Sequence, residues 1–225
     1  MTVGVIIQAR MGSTRLPGKV LKPIAGKVLL DHVLGRLSQL EHPVKIVVAT
    51  SDLPQDDTIA RHCFASGVAV FRGSEADVLD RYYQCTCENC FEHVVRLTAD
   101  NPFTDMIELQ RLIELHLSQG NDYTHSFDKM PVGVGAEIFT FAALERSARE
   151  GHAPNHREHV NEYIQENPDS FKIGALDVAT EKKHPELRLT VDTEEDYLRA
   201  CNIAEHDPDR WIGTEEAIEL CLRSA

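Results

Sequence analysis

The chain has 225 residues with 42% apolar and 26% charged side chains, enough for a sizeable buried core and ordinary for a soluble globular protein. A net charge of −13 argues against a nucleic-acid or anionic-membrane surface, since those partners need a positive face. No stretch reaches the ~18 apolar residues of a membrane span, residues 3–7 are too short for a signal peptide, and six sparse cysteines point to free thiols in a reducing cytoplasm.

Residues 3–8 form a short β-branched run that predicts a buried strand. Leu30, Val33, Leu34, Leu37 and Leu40 recur at helical spacing and predict a helix over 28–40. A second strand is predicted at 44–50, a helix at 54–66 stopped by Gly67, and a short strand at 68–71. A helix at 76–91, a strand at 93–98 and a helix at 104–117 closed by Gly120 follow. Beyond Gly120 the alternation loosens. Strands are expected at 136–141, 171–176 and 187–191, with helices at 155–165, 194–204 and 215–222. Continuous apolar strands separated by helices predict an α/β fold, a mostly parallel central sheet with helices on both faces. A single domain spanning 1–225 is expected, with an α+β elaboration at roughly 121–180. Ligands of such sheets collect at the carboxyl ends of the strands, where the loop after residue 8, Ser51-Asp52 and Asp100 all fall.

That first loop, within "IIQARMGSTRLPGKVLKPI", is both flexible and positive. Gly12 and Gly18 permit close backbone approach, and Arg10, Arg15, Lys19 and Lys22 supply charge, which together suit a phosphate. Neither G-x-x-x-x-G-K-[ST] nor G-x-G-x-x-G is present. A plain basic surface loop is the other reading. Asp100 and Asp192 each follow an expected strand, so both carboxylates could enter one crevice. Asn101-Pro102 also fit an ordinary turn, and Asp192 with Thr193 could instead cap a helix. "NHREHVNEYI" puts Arg157 and Asn161 at i, i+4 on an expected helix. There a guanidinium could meet a carboxylate, or the face could simply be solvated. The run "CTCENC" offers Cys85, Cys87 and Cys90 but lacks the second ligand pair of a structural zinc site.

The loop, with "VVATSDLPQDDTIA", "FRGSEADVLDRYYQ", "VVRLTADNPFTD", "GAEIFTFAAL", "HREHVNEYI" and "LRLTVDTEEDY" in order, resembles the cytidylyltransferases that activate sugar acids, the acylneuraminate and 3-deoxy-manno-octulosonate enzymes. The likeness is closest to the spore-coat polysaccharide branch. It implies a nucleotide-diphospho-sugar transferase type of fold, CTP as donor, Mg2+ as cofactor, a small anionic sugar-acid acceptor and a homodimer. Carried over by position, the resemblance assigns Arg10, Arg15 and Lys19 to the triphosphate, within a nucleotide-binding stretch of Gln8, Ala9, Arg10 and Gly12. It puts Ser51, Asp52, Arg72, Gly73 and Ser74 on the base side. Asp100 and Asp192 become metal ligands and, with Arg10 and Lys19, the catalytic set. Glu137, Arg157, His159 and Asn161 fall to the acceptor. Val134 and Gly135 stand where related sequences carry an acidic residue. Two other readings remain open: the same fold with another NTP or a phosphorylated acceptor, and a noncatalytic nucleotide-binding protein.

Overall fold

The structure is a computed structural model that describes residues 1–208 and 210–223. The chain enters with β1 (Val3–Gln8), forms a hairpin of β2 (Pro23–Ile24) and β3 (Lys27–Val28), and continues through α1 (Leu29–Arg36), β4 (Lys45–Ser51) and α2 (Asp57–Ala65). Then come β5 (Ala69–Gly73), α3 (Val78–Asn89), β6 (His93–Thr98) and α4 (Met106–Gln119). The later part holds β7 (Tyr123–His125), β8 (Glu137–Thr140), α5 (Phe141–Glu150), α6 (Pro154–Glu158), α7 (Glu162–Glu166), β9 (Ile173–Ala175), α8 (Glu194–Ala204) and α9 (Thr214–Arg223).

Seven strands form one sheet in the order β5-β4-β1-β6-β8-β7-β9. β8 runs antiparallel to both of its neighbours, and the other pairs are parallel. The sequence of β1 explains its central place. Val5 and Ile7 join a core with α1, α2 and α4, whereas Ile6 turns to the opposite core under α3 and α5. A strand apolar on both faces is stable only when both are covered. A third apolar cluster packs α8 and α9 against the β2–β3 hairpin side of the molecule. From β1 the chain crosses to β4 on one side and later to β6 on the other. The order therefore reverses between β1 and β6, and the carboxyl ends of these strands border the crevice where such folds take ligands. No helix among the described residues is long and apolar enough to cross a membrane.

Several expected elements differ from the structure. The helix expected over 28–40 ends at Arg36 and tightens into a 3-10 turn, Leu37–Gln39. Residues 187–191 do not form a strand. Among the described residues their strand-type pairing is one isolated bridge, Val132 to Arg188, where the Leu189 and Thr190 amides both donate to the Val132 carbonyl before the partner segment turns away at Gly133. Gly133 has φ 94°, and a Cβ there would lie 2.6 Å from the Thr190 amide nitrogen, so only glycine admits this approach. The helix expected over 155–165 is broken at His159 into α6 and α7, so Arg157 and Asn161 do not share one helical face. β7 and α5 have too short or too polar a pattern to be seen in the sequence. Thr140 caps α5 by accepting from the Ala143 amide.

Candidate active site

At the carboxyl ends of β1 and β6 a cleft of about 620 Å3 opens. Gln8 and Thr98, partners in the β1–β6 register, lie in its lining. Its charged lining consists of Arg10, Arg15, Lys19 and Arg96 against Asp100, Glu137, Glu158 and Asp192. The cleft is thus locally balanced in a chain of net charge −13, and the loop after β1 supplies most of its cations.

That loop is fixed by apolar anchors and backbone bonds. Leu16 and Val20 are buried, Gly18 adopts φ 70°, and its amide donates to the Met11 carbonyl at 3.0 Å. Lys19 starts a 3-10 turn, Lys19–Leu21, and its side chain points inward. The Lys19 Nζ donates to Asp100 Oδ2 at 2.7 Å, to Asp192 Oδ1 at 2.8 Å and to the Val191 carbonyl at 2.8 Å. Arg15 Nη2 lies 3.3 Å from Asp192 Oδ2, and Arg188 Nη2 donates to the same oxygen at 2.5 Å. Backbone pairing brings the two aspartates together, because the Val191 amide donates to the Asp100 carbonyl at 2.9 Å. The capping alternative for Asp192 is resolved. Thr193 caps α8, and Asp196 closes the box by accepting from the amides of Thr193 and Asp192, which frees the Asp192 carboxylate for the cleft. Burial raises the pKa of Asp192, but the bond and charge of Lys19, then Arg15, outweigh it and hold the carboxyl below the usual aspartate range.

Two carboxylates from separate loops therefore converge on one cation. Oxygen donors in this number fit a hard divalent ion, which takes one or two carboxylates and completes its shell with phosphate oxygens and water. The Lys19 ammonium stands at this point of convergence.

A second polar group is rooted in strands. Arg96 Nη1 donates to Glu137 Oε1 at 2.6 Å, and the Tyr123 hydroxyl donates to Glu137 Oε2 at 2.5 Å. Asn161 Nδ2 donates to the Tyr123 oxygen at 3.3 Å. Burial and the Glu137 charge push the Tyr123 hydroxyl pKa well up, so it stays protonated and a donor.

Of the residues singled out in the sequence, Gln8, Arg10, Arg15, Lys19, Asp100, Glu137, His159, Asn161 and Asp192 line the cleft together. Ala9 is buried behind Arg10, and Gly12 sits so near Glu75 and Gln55 that a Cβ would be 2.9 Å from Glu75 Oε1. Ser51, Asp52, Arg72, Gly73 and Ser74 form a layer beside the loop rather than part of the cleft lining. Ser51 is buried against Asp56, Arg72 bonds the Ser51 carbonyl at 2.9 Å and Asp57 at 2.6 Å, and the Asp52 amide bonds the Gly73 carbonyl at 2.9 Å. The Ser74 carbonyl takes the buried Arg81 guanidinium. Arg157 faces away from the cleft. Its Nε donates to Asp77 at 2.8 Å and its Nη1 to the Ala148 carbonyl at 2.9 Å, which ties α6 to the start of α3. Cys85 is buried and its thiol is pushed up to about 12 by burial, whereas Cys87 and Cys90 are exposed. No set of three or more metal-ligating side chains is found among the described residues.

Asp56, Arg96, Tyr123 and Arg188 were not singled out in the sequence. Asp56 accepts from the Met11 amide at 2.7 Å, from the Ser51 amide at 3.3 Å and from the Ser51 hydroxyl, pinning the loop to the end of β4. Only Arg96 left a visible signal, as a lone charge inside the apolar strand "HVVRLT".

A reversed strand order with a cationic loop and paired carboxylates at its switch point is the architecture of a nucleotidyltransferase. The sequence matches the cytidylyltransferase family over residues 4–223, and the chain belongs to that family. It is 41% identical over 197 residues to the spore coat polysaccharide biosynthesis protein SpsF of Bacillus subtilis, covering 85% of this chain and 82% of that one. It is 29% identical over 163 residues to an 8-amino-3,8-dideoxy-manno-octulosonate cytidylyltransferase of Shewanella loihica, covering 71% and 59% respectively. A solved cytidylyltransferase of Leptospira borgpetersenii superposes with TM-score 0.92 at 33% identity, covering 100% of this chain and 95% of that one.

Proposed function

We propose that the enzyme transfers CMP from CTP to a hydroxyl of a small sugar acid, releasing pyrophosphate, in the synthesis of a surface polysaccharide. The observation that carries this reading is the meeting of Lys19, Asp100 and Asp192 within 2.8 Å in a cleft that Arg10 and Arg15 also line. Arg10, Arg15 and Lys19 would bind the triphosphate, Arg10 and Arg15 by forked bonds and Lys19 as a point charge. For Lys19 this means exchanging its carboxylate partners for phosphate oxygens. Asp100 and Asp192 would hold a divalent cation, Mg2+, which supplies neutralisation of the charge on the phosphoryl oxygens.

The acceptor oxygen forms its bond to the α-phosphorus as the bond from that phosphorus to the bridging oxygen of the β-phosphate breaks. Pyrophosphate leaves with the electron pair, and the hydroxyl proton passes to water. Little covalent chemistry falls to the protein, so its work is positioning and charge stabilisation. Gln8, Ala9 and Gly12 would shape the phosphate loop, while Ser51, Asp52, Arg72, Gly73 and Ser74 would back the base. Glu137, His159 and Asn161 would face the acceptor. Arg157, being bound to Asp77, contributes by holding α6. The working form is proposed to be a cytoplasmic homodimer.

The test is a pyrophosphate-release screen of CTP, UTP, GTP and ATP, with Mg2+, against 2-keto sugar acids. CTP-selective, Mg2+-dependent release is expected. CTP binding without release across the whole panel would instead favour a noncatalytic nucleotide-binding protein.

A further inference from the structure

The Arg96–Glu137 pair stands on β6 and β8 rather than on the loop that carries Lys19, and stability is a weak reason for it. The two residues face each other in the antiparallel register of β6 and β8, with Glu137 only 2% exposed. Buried ion pairs of this kind cost so much desolvation that packed apolar residues often serve stability as well or better. The pair is also incomplete. Arg96 Nε is buried without a partner among the described residues, although the side chain lines the cleft. A buried donor left unpaired in this way is uncommon and needs a physical explanation. Glu158, exposed and also in the cleft lining, leaves this end with one carboxylate in excess of its single guanidinium. Such a balance suits hydroxyl or ammonium groups and disfavours a second anion.

Position along the strand says which part of the acceptor arrives here. Arg96 precedes Asp100 by four residues, and at ~3.3 Å per residue the two lie on the order of 10 Å apart along the cleft. In a 2-keto sugar acid the carboxylate is attached to the carbon that carries the reacting hydroxyl. Both must therefore sit beside Asp100 and Lys19, and only the opposite end of the molecule can reach Arg96.

We infer that Arg96 and Glu137 form a subsite for the acceptor's tail, Arg96 donating to a tail oxygen and Glu137 accepting from a tail hydroxyl or ammonium, so that the pair sets which sugar acid is used. This rests on the sugar-acid reading above. Tyr123 and Asn161 act as positioning residues, holding the carboxylate so that it cannot turn away from the cleft.

The test uses two acids that differ only at the tail carbon: 3-deoxy-manno-octulosonate, with a hydroxyl there, and 8-amino-3,8-dideoxy-manno-octulosonate, with an ammonium. Calorimetry on the full chain, saturated with Mg2+ and an α,β-methylene analogue of CTP, gives the ratio of the two affinities. Glu137→Gln should shift the ratio about tenfold against the amino acid, and Arg96→Gln about tenfold toward it, with affinity for the CTP analogue unchanged. A merely structural pair would weaken both acids alike. An unchanged ratio in both variants, shifts of the same sign, or a wild-type protein that binds neither acid would overturn the inference. Should Arg96→Gln fail to fold, the paired variant Arg96→Met/Glu137→Met removes both charges without orphaning either. In it the ratio should move toward one, and a wild-type ratio there would overturn the subsite. Mg2+-dependent pyrophosphate release from CTP by the wild type is scored separately, so the subsite can fail while the transferase reading stands.

Discussion

At one end of the cleft, Lys19, Asp100 and Asp192 come from three loops separated by up to 173 residues and meet on hydrogen bonds of 2.7–2.8 Å. At the other end, Arg96 and Glu137 sit opposite each other on adjacent strands, with Tyr123 supplied by the next strand over. The loop-built end carries charges that can change partners when a ligand arrives. The strand-built end carries charges whose partners are fixed by register and pleat. On the proposed function, chemistry that must accommodate a substrate, a cation and a leaving group falls to the first, and on the proposed subsite discrimination between similar molecules falls to the second, where geometry varies least.

The sharpest way to break this contrast is Asp100→Asn. Loss of one converging carboxylate should lower turnover by on the order of 10³, the scale seen when a transition-state charge stabiliser is removed. CTP affinity measured without metal should stay near wild type, and unchanged turnover at saturating Mg2+ would exclude Asp100 from the chemistry. Lys19→Met should act in two directions. CTP affinity should fall by roughly 10–100-fold, the scale of a lost charge-assisted bond of about 1.5–3 kcal/mol. Binding of Mn2+ without nucleotide should strengthen, because the ammonium that bridges Asp100 and Asp192 is gone. Weaker nucleotide-free Mn2+ binding in this variant, read by electron paramagnetic resonance, would mean that Lys19 does not compete for that position.

Asp56→Ala probes how rigid the loop-built end must be. It leaves the Met11 amide and the Ser51 amide and hydroxyl without their acceptor, a cost of about 2–3 kcal/mol for groups this buried. The melting temperature and CTP affinity should fall together, whereas acceptor-side variants should leave CTP affinity alone. Asp56 also marks the limit of what the sequence could convey. The parallel half of the sheet was legible because its strands are apolar on both faces, and the loop after β1 was legible because it gathers four cations within thirteen residues. What stayed hidden depends on tertiary pairing. Asp56 follows Pro54 in a segment that reads as an ordinary helix start, and nothing local reveals its bond to Met11. Residues 187–191 have the pattern of a strand, yet Gly133 denies them a partner ladder. Arg157 and Asn161 fit an i, i+4 face, and the break at His159 removes it.

The smallest of these effects tests whether the strand-built end is anchored from below. β7, which carries Tyr123, is held by a buried chain in which His93 Nδ1 lies 3.1 Å from His116 Nε2, and His116 Nδ1 lies 3.0 Å from the Thr124 hydroxyl. Burial, and then the nearby His93, lower the His116 pKa to about 4. A folded-state pKa below the ordinary value of about 6.5 means that the unfolded chain binds the proton first as pH falls. The contribution of His116 to stability is therefore full above pH 6.5 and is lost progressively toward pH 4, on the order of 2 kcal/mol across that window. His116→Gln keeps a polar group beside Thr124 but cannot take up that proton, so melting temperature should depend less steeply on pH between 6.5 and 4 than in the wild type. If β7 is the element released, hydrogen exchange at Tyr123 and Thr124 should rise with acidification before exchange in β1 does. Equal slopes in the two proteins, or simultaneous loss of protection in β1 and β7, would show that the strand-built end does not rest on this histidine chain.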